Sequence, residues 1–338
     1  MKIVVDCRYL YNSGIGKYLE GILPFFILSN HEIILLGDKE KINDFGLEII
    51  HNNTSAFSKN GLLLDTKRIN ECDVFFTPNF IIPFGIKIPV FSMIHDIIFL
   101  DEKYASNHYI DYLIKKFFLK RCAKKSKKVF TVSNFSKKRI KHHLKIDSIV
   151  AYSSITEALQ EKKQKEQTQN YLLFVGNVKR NKGLDTLLEA FLGLKDLYSL
   201  IIVGEYENFR TSMDIKGNLE NVSFTGHISD DELYELIRNA KFLIQPSRYE
   251  GFGLPPLEAL YLGTKPIISD IEVFKEIYGE FDVAFFEVNN AESLEKAIRN
   301  SSETVNTNRE MILKKYSFRD SARIILGEME GYYEENSL

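Results

Sequence analysis

Short runs of β-branched and aromatic residues alternate along this chain with longer stretches in which apolar residues recur every three or four positions. That is the pattern of parallel strands joined by helical crossovers. In the first half KIVVD (2–6), EIILL (32–36), DVFF (73–76), PVFSMI (89–94), KVFTV (128–132) and SIVAY (148–152) read as strands. Helical spacing is clearest over 104–123, where Ile110, Leu113, Ile114, Phe117 and Phe118 predict one apolar face and Lys116, Lys120 and Lys124 the other. Residues 156–170, TEALQEKKQKEQTQN, lack apolar anchors and read as a linker. The alternation restarts at YLLFVG (171–176), with a second helical face at Leu184, Leu187, Leu188, Phe191 and Leu192. Strands follow in YSLIIVG, NVSFTG, AKFLIQPS, TKPIIS and DVAFFEV, and a charged amphipathic helix ends the chain. The expected class is α/β, with two doubly wound parallel sheets.

A length of 338 residues suits two such domains. Apolar residues at 44% and charged residues at 27% are ordinary for a folded globular protein, and no run of 18 apolar residues is present to span a bilayer. Asp6 and Arg8 interrupt the opening MKIVVDCRYL, which argues against a secretory segment and for a cytoplasmic location. Cys7, Cys72 and Cys122 form no C-x-x-C pair and read as reduced thiols, mostly buried. Residues 115–145 hold 13 Lys and Arg and no Asp or Glu, leaving −15 on the rest of a chain whose net charge is −2. Such a run is an electrostatic footprint for anionic lipid or another polyanion, unless it is a solvated helix face. A nucleic-acid-binding protein would use it too, but Trp is absent and no recognition motif accompanies the charge.

In open parallel sheets ligands bind beyond the carboxyl ends of the strands. After the strand AKFLIQP comes SRYEGFGLPPLEALYLG (247–263). Gly251 and Gly253 permit close backbone approach, and Pro255 and Pro256 suit the first turn of a helix. Amides around Phe252 to Pro255 then make an anion site suited to a diphosphate. Glu250 and Glu258 flank it, and a carboxylate can accept both hydroxyls of a vicinal diol. These residues favour a sugar nucleotide, although a glycine-capped turn before an exposed helical Glu would account for them as well. After strand 171–176, Lys179, Arg180 and Lys182 crowd a loop that opens a helix, where cations can neutralise a leaving diphosphate. No D-x-D triplet occurs and the histidines show no ligand spacing, so no metal and no other cofactor is expected. NSGIGKYLEG (12–21) has G-x-G but Leu19 in place of the third glycine, too weak for a dinucleotide fingerprint. His95 and Asp96 end the strand PVFSMI, and Ser133 ends another and either faces the site or caps the next helix.

E-G-F-G-L-P-P-L-E resembles the E-x7-E motif of glycosyltransferase family 4, retaining enzymes of the GT-B fold. The resemblance extends to VGNVKRNKGLDTLLEAF (175–191), VSFTGHISDDELYELIRNA (222–240), IHD (94–96), the opening D-x-R and GIGKYL. It implies two Rossmann-like domains facing a cleft: an acceptor-side domain over 1–155, a linker over 156–170, a nucleotide-sugar domain over 171–318, and a helix over 319–338 that crosses back. By this resemblance Glu258 holds the donor ribose, Glu250 the hydroxyls of the transferred sugar, and the amides of Gly251, Phe252, Gly253 and Leu254 phosphate or sugar oxygens. Glu250, His95 and Lys182 are the candidate catalytic residues. Gly14 and Gly16 form a mobile loop over the donor phosphates, where the residues alone would equally suit a plain helix start with flexible glycines, and Asp96 and Ser133 are further substrate contacts. Where the family places Arg this chain has Asn177, so Arg180 or Arg248 takes over the diphosphate contact. The implied reaction is metal-independent transfer from a nucleotide diphosphate sugar to a glycan or lipid-linked glycan, with surface-polysaccharide biosynthesis as setting and the inner membrane face as a peripheral location. A sugar-nucleotide epimerase of the same fold is the alternative, disfavoured by the E-x7-E spacing.

Overall fold

The computed structural model describes residues 1–11, 13–102, 109–165, 168–205 and 220–336, so the expected helical residues 104–108, parts of the expected linker and loop (166–167 and 12), and 337–338 lie outside the described residues. The chain divides into two compact units, Met1–Thr156 with Tyr316–Leu338, and Glu157–Lys315.

In the first unit, strands β1 (Lys2–Asp6), β2 (Glu32–Gly37), β3 (Glu48–His51), β4 (Val74–Thr77), β5 (Val90–Met93), β6 (Ser126–Thr131) and β7 (Ile149–Val150) form one parallel sheet in the order β3-β2-β1-β4-β5-β6-β7. Strands β1, β4 and β5 have near-continuous buried apolar runs because helices cover both faces. Strand β3, EIIH, escapes sequence reading because it is short and only half-buried. The principal helices here are α1 (Ser13–Ile27), α2 (Tyr109–Lys125) and α3 (Asn134–Leu144), together with the closing helix Phe318–Asn336, whose Phe318 ring packs so tightly on α1 that a Cβ added at Gly21 would meet it at 2.2 Å.

Of the apolar face expected on α2, only Phe118 turns inward. Phe118, Leu119 and Cys122 are buried, Phe118 among Phe57, Phe84 and Phe117, while Ile110, Leu113, Ile114 and Phe117 are 69%, 45%, 41% and 56% exposed. Apolar residues occupy both sides of the helix's first half, and the sheet selects the side bearing Leu119 and the small Cys122, whose Sγ lies 3.0 Å from Ser92 Oγ. Lys120 and Lys124 therefore extend the same exposed stripe instead of opposing it, and Lys116 lies against Tyr112, Nζ to hydroxyl 3.0 Å.

In the second unit, β8 (Tyr171–Val175), β9 (Ser199–Val203), β10 (Val222–Gly226), β11 (Phe242–Gln245), β12 (Lys265–Ser269) and β13 (Ala284–Phe286) form a second parallel sheet in the order β10-β9-β8-β11-β12-β13. Its helices include α4 (Leu184–Phe191), α5 (Asp230–Asn239) and α6 (Leu254–Leu262). Leu184, Leu187, Leu188 and Phe191 of α4 enter the core with Leu172, Phe174 and Ile202, and Leu192 is left 59% exposed. The expected linker is largely docked on this unit: Leu159 is buried and Lys165 Nζ donates to Ala240 O at 2.6 Å.

Candidate active site

The order of the second sheet brings β8 and β11 side by side, so the loops after them meet although 68 residues separate their key side chains. Gly183 makes the approach possible. It has φ +67, and a Cβ there would lie 1.9 Å from Pro246 O. Arg248 stitches the two loops: its N–H donates to Asn181 O at 2.7 Å, and its guanidinium to Arg180 O at 2.7 Å and to Asp185 at 2.6 Å. Arg248 is thereby a structural clamp, which leaves Lys179 and Arg180, both exposed, as cations facing water. Asn177 is exposed and accepts from the Glu205 amide at 3.3 Å.

Helix α6 opens after Gly253, whose φ of +84 and contact with the Phe274 ring, 2.5 Å from an added Cβ, admit only glycine. Pro255 and Pro256 have no N–H, so the amide donors end at Leu254 and resume at Leu257, one residue short of the expected range. Glu250 is buried before the helix start and Glu258 is half-buried one turn inside it.

The two catalytic candidates of this unit meet directly. Lys182 Nζ lies 2.7 Å from Glu250 Oε1, with side chains 20% and 10% exposed. The same carboxylate oxygen accepts from Ser247 Oγ at 2.7 Å, and Ser247 accepts from Gln245 Nε2 at 3.0 Å. Sequence reasoning passed over Gln245 and Ser247. The available signal was a polar residue closing the otherwise apolar strand FLIQ.

In the first unit, His95 follows β5. Its Nε2 donates to Pro78 O at 2.9 Å, which leaves Nδ1 as the acceptor of a neutral ring, and Tyr18 meets the ring edge-on at 5.3 Å. Burial lowers its pKa to about 4, partly opposed by the Pro78 bond. The unfolded chain, with a His pKa near 6.5, takes up the proton first as pH falls, so the stability this neutral ring contributes is complete above 6.5 and lost toward 4. Urea unfolding should show the wild-type advantage over His95→Gln shrinking by about 2 kcal/mol between pH 7 and 4.5. Asp96 Oδ1 accepts from the Ile98 amide at 3.1 Å. Ser133 caps α3, accepting from the Ser136 amide at 3.1 Å, and is fully buried, as the capping alternative expects. Gly14 and Gly16 lie in the first turn of α1, not in a mobile loop: a Cβ at Gly16 would meet Tyr9 O at 2.5 Å, so glycine lets the helix pack on the preceding segment. Asp6 and Arg8 of the D-x-R form a buried ion pair at 2.7 Å. Among the described residues no group of three or more His, Cys, Asp or Glu is placed to hold a metal ion.

Residues 157–317 match the model of the family described as "Glycosyl transferases group 1". The chain is 34% identical over 181 residues to the O-antigen chain mannosyltransferase RfbU of Salmonella typhimurium, 52% of this chain and 51% of that one. It is also 34% identical over 117 residues, 32% and 31% of the two chains, to the GDP-mannose:cellobiosyl-diphosphopolyprenol alpha-mannosyltransferase of Xanthomonas oryzae. The chain thus matches about half of the first of these relatives and about a third of the second. The crystal structure of Anabaena Alr3699/HepE in complex with UDP-glucose superposes with a TM-score of 0.74 at 14% identity, over 98% of this chain and 100% of that one. The fold is GT-B, two parallel-sheet α/β domains, and the matched half supports a glycosyltransferase.

Proposed function

We propose that the protein is a retaining, metal-independent glycosyltransferase of family 4 that moves mannose from GDP-mannose to a lipid-linked glycan in polysaccharide biosynthesis. The observation carrying this reading is the meeting of Lys182 and Glu250 at the head of α6. A cation and amide donors there suit a diphosphate, and the two carboxylates suit the diols of ribose and sugar. The choice of mannose and of a lipid-linked acceptor follows the names of the two curated relatives. Lys182 and the α6 amides stabilise charge developing on the leaving diphosphate, and Glu250 orients the sugar without attacking it. Arg180 adds charge at the rim and Glu258 holds the ribose. Calorimetry with GDP, GDP-mannose, UDP and UDP-glucose, in EDTA and in Mg²⁺, tests this. Uptake of GDP-mannose in EDTA supports it, UDP-glucose uptake alone changes the donor, and uptake of none removes the enzyme reading.

The setting we propose is cytoplasmic and peripheral to an anionic membrane. No described helix is long and apolar enough to cross one. The exposed stripe of α2 runs from Tyr109, Ile110, Leu113, Ile114 and Phe117 into Lys120 and Lys124, apolar side chains for the acyl boundary and cations for the headgroups. Pairing two copies of this stripe would set cations against cations or against apolar rings, so lipid is the better occupant. Vesicles containing about one third phosphatidylserine should retain the protein, and Phe117→Asp and Lys120→Glu/Lys124→Glu should each weaken retention about tenfold, the latter chiefly at low salt. Unchanged retention in both variants, or dimerisation lost in Phe117→Asp, would refute it.

A further inference from the structure

Oε1 of Glu250 accepts from both Lys182 and Ser247 at 2.7 Å. A donor diphosphate arriving at the head of α6 competes with Glu250 for Lys182, because a single ammonium at 20% exposure is shared between two anions. When Lys182 goes to the phosphate, the carboxylate keeps only the Ser247 hydroxyl among the protein donors described. Ser247 can fill that role only if its own oxygen is held from behind, since it has one proton and gives it to Glu250. Gln245 does this. Its Nε2 donates to Ser247 Oγ at 3.0 Å, and both side chains are fully buried. A carboxylate only accepts, so the direction of the chain is determined: Gln245 amide to Ser247 hydroxyl to Glu250. The reversed amide would set its oxygen against a hydroxyl whose proton is already used. The orientation is kept even though Gln245 Oε1 is then buried with no partner among the described residues. Ser269 Oγ, donating to Ser247 O, anchors the backbone of the same residue.

We propose that Gln245 and Ser247 are positioning residues that hold Glu250 in place while Lys182 exchanges its carboxylate partner for the donor diphosphate. The proposal rests on the glycosyltransferase reading above and adds the two residues that make the exchange possible without loss of the sugar contact.

Ser247→Ala, Ser247→Thr and Gln245→Met are compared with wild type for GDP affinity by calorimetry, for kcat and KM with GDP-mannose (donor hydrolysis where no acceptor turns over), and for melting temperature. Should wild type take UDP instead, UDP and UDP-glucose replace these probes. Ser247→Ala is expected to lose about 10- to 100-fold in kcat with GDP affinity within about twofold, and Gln245→Met a smaller part of the same loss. Ser247→Thr, which restores a hydroxyl, is expected to recover most of it. Wild-type kcat in Ser247→Ala, or equal losses of kcat and GDP affinity tracking a fall in melting temperature in both Ser247→Ala and Gln245→Met, would overturn the proposal. If Ser247→Ala does not fold, Gln245→Met and Ser247→Thr decide between the same outcomes. Wild type that binds neither nucleotide overturns the enzyme reading itself, and the positioning role with it.

Discussion

Glu250→Gln should lower sugar transfer about 10²- to 10³-fold while raising GDP affinity several-fold, two readouts moving in opposite directions. The loss follows from the carboxylate's proposed task. An amide can accept a hydroxyl hydrogen bond, but without the charge that makes the bond strong as the sugar becomes electron-poor. The gain follows from the ligand-free geometry, in which Glu250 holds the Lys182 ammonium at 2.7 Å. GDP has no sugar to lose a contact with Glu250, and it meets a lysine no longer neutralised. Lys182→Met gives the complementary pattern, loss of GDP affinity together with transfer. Calorimetry and a transfer assay on the two variants separate the roles, and GDP binding that weakens in Glu250→Gln would count against the competition for Lys182.

Asp6→Ala should destabilise the protein by about 3 to 5 kcal/mol, the largest stability effect expected of a single substitution here. The Arg8 guanidinium donates through Nε and Nη2 to both oxygens of Asp6 and through Nη1 to Gly61 O at 2.8 Å, and the two side chains are 1% and 0% exposed. Removing the carboxylate leaves a buried cation with one carbonyl. Double replacement by apolar residues, Asp6→Leu/Arg8→Met, should cost less than Asp6→Ala, because an unpaired charge is worse than none. Denaturant titration of the three proteins tests the order, and a loss under 1 kcal/mol for Asp6→Ala would show that water reaches Arg8.

The strands were legible from sequence wherever buried apolar runs stood between turn residues, as in KIVVD, YLLFV and KPIIS. The helix start at Gly253 was legible for a related reason, since glycine and proline carry their backbone constraints with them. The orientation of α2 was not, because a periodic apolar face records that a face exists and not which of two apolar sides meets the sheet. The role of Ser133 was ambiguous in the same way: a hydroxyl before a helix either caps it or faces a ligand, and the local sequence is identical in both cases.

The amino-acid sequence by itself determined the α/β alternation, the restart near residue 171 and the glycine and acidic residues around α6, all of which depend on neighbours a few positions away. Tertiary structure alone decided that Lys182 reaches Glu250 and that Gln245 and Ser247 stand behind it. Those contacts exist because β8 lies beside β11 in the sheet, and pairing between strands some 70 residues apart is set by the packing of the whole unit.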